Sequence, residues 1–319
     1  MNGRAVYLGS ETVRPSGASP CVLVVGNFDG VHLGHQSVLR EAVADAARMG
    51  LPARVLTFEP HPGAVVGPGA PPLLTTLERR IEIMEGLGVD CVYVRQFDAA
   101  FAAWAPERFA RDLVAGALHA RLVVVGQNFR FGSRRSGDLG LLRRLGAELG
   151  FEARVHAIAS DAHGPYSSTR VREAISTADL DEVRRVLGRP HALTGTVVHG
   201  DELGRTLGFP TANLEPVAEI LPPDGVYAVR VALRARTGAF EPLGDGAMSI
   251  GVRPTVDPDG AARKVEVFVF GFEGDLYGAE LRSELVSRLR EQRKFPSLEA
   301  LKAQMATDVE QAKVQLAAR

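Results

Sequence analysis

Val22-Leu23-Val24-Val25-Gly26-Asn27-Phe28-Asp29-Gly30-Val31-His32-Leu33-Gly34-His35-Gln36 is the stretch around which the rest of the chain is arranged. Val22 to Val25 form the short apolar run expected of a strand covered on both faces of a parallel sheet. Gly26, Gly30 and Gly34 then mark a turn that allows positive φ and close approach of a ligand, and Gln36 to Met49 carries apolar residues at helical spacing. A strand-to-helix turn of this kind leaves unpaired N–H groups and the positive end of a helix dipole where an anion can sit. His32 and His35 fall in the first helical turn, facing the same way, and both imidazoles can donate to phosphate oxygens.

Arg54 to Phe58 reads as a second strand, stopped by Glu59-Pro60-His61-Pro62. Thr75 and Glu78 have capping-box spacing for a helix reaching about Leu87. A strand at Cys91 to Val94, a helix opened by Pro106 and a buried strand at Leu122 to Val125 follow. The alternation predicts an α/β domain with a doubly wound parallel sheet, whose ligands bind at the carboxyl ends of the strands. Gly126-Gln127-Asn128-Phe129-Arg130-Phe131-Gly132 lies at such an end and combines an aromatic ring with a cation. Ser167-Ser168-Thr169-Arg170-Val171-Arg172 reads by itself as a capped helix start, to which Arg170 and Arg172 add a phosphate grip. A short helix from Asp179 to Leu187 leads to a predicted domain boundary at Gly188-Arg189-Pro190, dividing the chain into 1–187 and 188–319.

Beyond residue 190, strands at Leu193 to Val198, Tyr227 to Ala235, Ala247 to Val252, Val265 to Phe270 and Glu280 to Leu289 predict a small antiparallel β-barrel. Ser297 caps a final helix whose Leu298, Leu301, Met305, Val309 and Leu316 form one stripe, expected to pack on the barrel. Gly200 to Thr206 is one residue short of a P-loop and has Arg205 in place of the lysine, so Walker chemistry is rejected. Gly204 and Gly208 still admit close backbone approach to phosphates. Thr211 and Asn213 project to one side of an extended run, two neutral oxygens suited either to simple loop hydrogen bonding or to magnesium. Glu266 alternates with Val265 and Val267, so it stands on the same strand face as Phe268 and Phe270, either as a solvated edge carboxylate or as a general base.

At 319 residues the chain accommodates two cores, and 45% apolar with 24% charged residues excludes a disordered protein. A net charge of −1 argues against a broad nucleic-acid footprint, so any anion site is local. Cys21 and Cys91 lack metal spacing and read as core residues. No segment approaches the roughly 20 apolar residues of a membrane span, and the first residues lack an apolar signal core. The expectation is a cytoplasmic protein with small-molecule substrates and no nucleic-acid or membrane partner; no motif specifies its oligomeric state.

His32-Leu33-Gly34-His35 resembles the H-x-G-H signature of nucleotidyltransferases, and GNFDGVHLGH is similar to the adenylyltransferase half of bacterial bifunctional riboflavin kinase/FAD synthetases. Phe58-Glu59-Pro60-His61-Pro62, Gly126 to Gly132 and Ser167 to Arg172 also look like this family's segments. In the second half, so do LGRTLGFPTAN from Leu203, DGVYA from Asp224, SIGVRPTV from Ser249, DLYG from Asp275 and LREQRKF from Leu289. The resemblance implies an amino-terminal nucleotidyltransferase domain that converts FMN to FAD and a carboxy-terminal barrel that phosphorylates riboflavin, both using ATP and Mg²⁺. It implies catalysis by His32, His35 and Glu266. ATP would be held in the first domain by Gly26, Asn27, Phe28, Asp29, Gly34, Ser167, Ser168, Thr169, Arg170 and Arg172, and FMN by Phe58, Pro60, His61, Asn128 and Phe129. In the barrel, ATP falls to Gly200, Leu203, Gly204, Arg205, Gly208, Phe209, Pro210 and Thr211, flavin to Glu266 and Arg290, and Mg²⁺ to Thr211 and Asn213. Phe268 departs from the histidine of some members. Adenylyl transfer to another phosphorylated acceptor and a flavin-binding regulator without turnover are the alternatives.

Overall fold

A computed structural model describes residues 5–9, 19–199, 209–251 and 263–319. The chain divides into two compact units, Met1–Ser168 and Thr169–Arg319. In the first, β1 (Ala5–Leu8), β2 (Cys21–Val25), β3 (Ala53–Glu59), β4 (Cys91–Gln96), β5 (Ala120–Gly126) and β6 (Glu152–His156) form a sheet in the order β1-β4-β3-β2-β5-β6. Every pairing is parallel. The helices are α1 (Leu33–Met49), α2 (Pro62–Val66), α3 (Leu77–Gly86), α4 (Ala99–Ala102), α5 (Pro106–Arg108) and α6 (Leu139–Leu149), and a ribbon of β7 (Ser160–Asp161) and β8 (Gly164–Pro165) follows β6.

Alternate residues of the apolar runs serve opposite faces. Val22, Val24, Leu122 and Val124 pack with Val38, Leu39 and Ala42 of α1. Leu23, Val25, Val123 and Val125 pack with Leu113, Leu118, Leu142 and Leu145 on the other side. Continuous hydrophobicity is what this two-sided burial requires. Because β3 and β5 flank β2, sheet growth reverses there, and the carboxyl ends of β2 and β5 form the switch-point crevice of an open α/β sheet.

Two local expectations change. Thr76, not Thr75, caps α3, its hydroxyl accepting the Arg79 N–H at 3.2 Å; the Thr75 hydroxyl is taken instead by the Gly30 N–H at 3.0 Å. The helix opened by Pro106 makes one α turn and then widens into a π-helix over Phe109–Ala117. A Cβ at Gly116 would lie 2.9 Å from the Arg111 carbonyl oxygen, so glycine permits the wide winding.

In the second unit α7 (Ser168–Ser176), which begins at the division, and α8 (Leu180–Leu187) precede a closed antiparallel barrel. Its strands are β9 (Ala192–Val198), β10 (Ala212–Glu215), β11 (Gly225–Arg234), β12 (Phe240–Gly251), β13 (Lys264–Val269) and β14 (Glu280–Arg290), in the order β10-β13-β12-β11-β14-β9. The four-residue β10, too short to show a period, supplies the strand missing from the sequence reading. Met248, Ile250, Val265, Val267 and Leu214 fill the interior. Helix α9 (Leu298–Ala317) buries Ala312 and Leu316 against Ala228 and Val286. Leu298 is 54% exposed, outside the expected stripe, because the buried face centres on Asp308, which pairs with Arg290 at 2.7 Å.

His191, ahead of β9, is buried with Nε2 2.9 Å from the Ile220 carbonyl. Burial lowers its pKa to about 4, with Arg189 adding to the effect and the Ile220 carbonyl opposing it. A histidine depressed in the folded state contributes stability that is complete above its unfolded value of about 6.5 and is lost as pH falls toward 4. Between about pH 7 and pH 4 the native protein is expected to lose about 3 kcal/mol that His191→Asn does not lose, read as the change in the difference between their urea unfolding curves.

Candidate functional site

The turn after β2 is strained, and the structure around it explains why it holds. Gly30 has φ 82°, but Gly26 and Gly34 do not take positive φ; the left-handed residues are Phe28 (φ 55°) and Val31 (φ 39°). Gly26 and Gly34 are needed for space instead. A Cβ on Gly26 would meet the Phe28 ring at 3.0 Å, and one on Gly34 would lie 3.0 Å from His32 Nδ1 and 3.3 Å from Tyr166 Cβ. Left-handed non-glycine residues cost about 1–3 kcal/mol each and persist only where neighbours over-determine them.

Here the neighbours are polar and buried. The Asp29 carboxylate accepts the Leu74 and Thr75 N–H groups at 3.1 and 3.2 Å. Thr57 and Arg80 donate to the Asn27 carbonyl at 3.1 and 3.0 Å, and Ser168 donates to the Asp29 carbonyl at 2.8 Å. Asp29 is 5% exposed, so its carboxylate acts as a brace for the turn. Asp29→Asn exchanges an acceptor for an amide donor facing N–H groups and is expected to destabilise the protein by about 2 kcal/mol, measured by urea unfolding.

His32 is the N-cap of α1, its Nδ1 accepting the His35 N–H at 3.3 Å. The neutral ring therefore carries its proton on Nε2. The two imidazoles stack with centroids 3.7 Å apart, and Phe28 closes on His35 edge-on at 5.1 Å. Burial, and then the adjacent His32, push the His35 imidazole well below its ordinary pKa. A stacked imidazole pair at a helix N-terminus, with His35 held toward its neutral form, offers N–H donors to developing phosphate charge.

Beside this turn a cavity of about 840 Å³ opens at the carboxyl ends of β2, β3, β4 and β5. Of the predicted residues, Gly26, Asn27, Phe58, His61, Asn128 and Phe129 line it. His61 caps α2, accepting the Gly63 N–H at 3.0 Å, and meets Asn27 Nδ2 at 3.2 Å. Pro60, exposed at the end of β3, is not among the lining residues. Phe97, Phe101, Trp104 and Phe109 complete an aromatic wall absent from the sequence reading, with Phe97 and Phe101 edge-to-face at 5.5 Å. Arg95 lies 4.5 Å over Phe101, and Arg108 lies 3.9 Å over Trp104. The signal was there: Phe97, Phe101, the single tryptophan Trp104 and Phe109 crowd thirteen positions. A cavity of this size and lining suits a planar aromatic ligand.

In the Ser167–Arg172 segment, Ser168 is tied to the glycine turn as described. Thr169 is exposed, Arg170 pairs with Glu182 at 2.5 Å, and Arg172 is half-buried.

In the barrel, Asn213 and Glu266 are direct partners across β10 and β13, and Ser249 faces Glu266 from β12. Opposed residues of this kind stand about 5 Å apart at Cβ. The row lies outside the packed interior. Phe209 meets Phe268 at 5.4 Å, and Phe268 meets Phe270 at 5.7 Å. Gln292 donates to the Ser249 hydroxyl at 2.7 Å. Thr211 and Asn213 are half-buried on either side of buried Ala212, and Pro210 is exposed. Arg290 is held by Asp308. Gly200, Leu203, Gly204, Arg205 and Gly208 lie outside the described residues. Thr211, Asn213 and Glu266 offer a hydroxyl, an amide and a carboxylate oxygen, a donor set that fits magnesium.

One unit thus presents imidazoles at a switch-point helix terminus beside an aromatic cavity, and the other a carboxylate–amide pair on a closed barrel: together, a two-domain protein of nucleotide chemistry. The FAD synthetase family model matches residues 14–170, and the riboflavin kinase model matches residues 187–316. A bifunctional riboflavin kinase/FMN adenylyltransferase from Escherichia coli is 40% identical over 289 residues, 90% of each chain. The protein of that name from Haemophilus influenzae is 38% identical over 295 residues, 92% of this chain and 93% of its own. A crystal structure from Streptococcus pneumoniae, described as a macrolide-efflux protein, superposes with TM-score 0.84 at 30% identity, over 97% of this chain and 99% of that one. No helix among the described residues is long and apolar enough to cross a membrane. The chain belongs to the bifunctional riboflavin kinase/FMN adenylyltransferase family.

Proposed function

We propose that residues 188–319 phosphorylate riboflavin to FMN and that residues 1–187 adenylylate FMN to FAD, with ATP as co-substrate in both steps. The observation that carries this reading is the stacked His32–His35 pair next to an aromatic cavity, in a chain whose barrel sets Glu266 opposite Asn213.

In the barrel, Glu266 takes the proton of the terminal ribityl hydroxyl as that oxygen bonds to the γ-phosphorus of ATP and the bond to ADP breaks. Phe209 and Phe268 offer ring faces for the flavin. Thr211 and Asn213, with Glu266 alongside, would hold Mg²⁺, which supplies charge neutralisation to the phosphates.

In the first unit, a phosphate oxygen of FMN attacks the α-phosphorus of ATP, the bond to the β-phosphate breaks, and pyrophosphate leaves. No proton need be removed from the attacking phosphate dianion, so catalysis is positioning and charge stabilisation. His32 and His35 donate to the α-phosphate as its charge grows, the Gly26–Gly34 turn brings backbone close to the nucleotide, and Ser167 adds a hydroxyl. Thr169, Arg170 and Arg172, expected from the sequence to contact ATP, belong to the second unit. Phe58, His61, Asn128 and Phe129 hold the flavin ring in the cavity. Incubation with riboflavin, ATP and a magnesium salt is expected to give FMN and then FAD on chromatography; appearance of neither overturns the reading.

A further inference from the structure

Gly132 to Arg135 line the mouth of the aromatic cavity in a turn where two consecutive arginines take left-handed backbone conformations, Arg134 at φ 52° and Arg135 at φ 59°. Long side chains rarely occupy this region, and adjacent instances mark strain that the surroundings must hold in place. The Ser133 N–H donates to the Trp104 carbonyl at 2.7 Å, and Phe131 and Gly137 exchange backbone hydrogen bonds at 3.1 and 2.9 Å. Gly132, itself at φ 71°, leaves no room for a side chain: a Cβ there would lie 2.6 Å from Pro106 Cγ. The turn is therefore fastened to the cavity wall at both ends, which presents Arg134 and Arg135 at its opening.

Both side chains are exposed, and among the described residues neither is paired with a carboxylate. Arg130, the third arginine of the rim, has Asp138 at 3.5 Å. Phenyl rings inside and uncompensated guanidinium groups at the lip suit a molecule with a flat aromatic body and an anionic tail. Guanidinium forks match phosphate oxygens in pairs, and a neutral hydroxyl at the same place recovers little of that attraction.

We infer that Arg134 and Arg135 grip the phosphate ester of FMN and make the adenylyl-transfer site select phosphorylated over unphosphorylated flavin. The inference rests on the adenylyl-transfer reading of the first unit. It also gives the strain a purpose: the guanidinium groups offset repulsion between two phosphorylated reactants that must meet.

The test measures, on the full chain, KM for FMN and for ATP in FAD formation. It adds the inhibition constant of lumiflavin, which has the flavin ring but neither the hydroxyl-bearing tail nor a phosphate. Arg134→Ala and Arg135→Ala are each expected to raise KM for FMN about 10- to 100-fold. KM for ATP and the lumiflavin constant should stay within about twofold, and Arg135→Lys should recover part of the loss. Arg134→Gly should raise the melting temperature by about 1–3 °C while weakening FMN, because it relieves strain as it removes the cation. An unchanged KM for FMN, a rise in KM for ATP in its place, or a lumiflavin constant that rises in step would overturn the inference. Wild-type protein that forms FMN from riboflavin but no FAD would instead overturn the adenylyl-transfer reading, and this inference with it.

Discussion

His32→Asn is expected to lower FAD formation about a thousand-fold while riboflavin phosphorylation stays within twofold of wild type. The substitution separates the two tasks of this residue. Its Nδ1 caps α1 by accepting the His35 N–H, and asparagine can replace that acceptor, whereas alanine would also cost about 1 kcal/mol of helix stability. What asparagine lacks is the stacked ring whose Nε2–H, in the proposed mechanism, donates to the transferring phosphate. Loss of one preorganised donor of this kind costs about 100- to 1,000-fold, and the stacking that orients His35 is lost with it. FMN production by the same sample reports that the chain remains folded. Equal loss of both activities in folded protein would contradict the assignment.

Glu266→Gln is the complementary case. The side chain keeps its shape opposite Asn213 and Ser249 but no longer accepts a proton, so phosphorylation of riboflavin is expected to fall about 100- to 10,000-fold. Adenylylation of added FMN should continue at the wild-type rate. Initial rates of FMN formation from riboflavin, and of FAD formation from FMN, distinguish this from general damage. A glutamine variant that still phosphorylated riboflavin at full rate would remove Glu266 from the chemistry.

The turn from β2 into α1 was legible because two periodicities meet there, an apolar run and a helical repeat, with glycines between them. Its strain was not, since Phe28 and Val31 carry no compositional mark of a left-handed backbone. Thr75 and Thr76 both suit a cap, and only the neighbouring Gly30 N–H decides which hydroxyl is spent elsewhere. The barrel strands were visible from alternation, but Asn213 facing Glu266 is a matter of register between strands far apart in sequence. The pairing of Arg290, expected to contact flavin, with Asp308 of α9 likewise could not be read from the sequence. The cavity was the least visible feature, because its walls come from Asn27, Phe58, Trp104 and Phe129, on four segments that only the parallel sheet brings together.

If two separate active sites on one chain act in succession on one flavin, mixing the two variants must restore the full conversion. With riboflavin, ATP and a magnesium salt, Glu266→Gln alone should form almost no FMN, and His32→Asn alone should stop at FMN. An equimolar mixture should convert riboflavin through to FAD, as FMN released by one variant is adenylylated by the other. If the mixture of folded variants accumulates no FAD while wild-type protein does, the account of two independent sites is wrong.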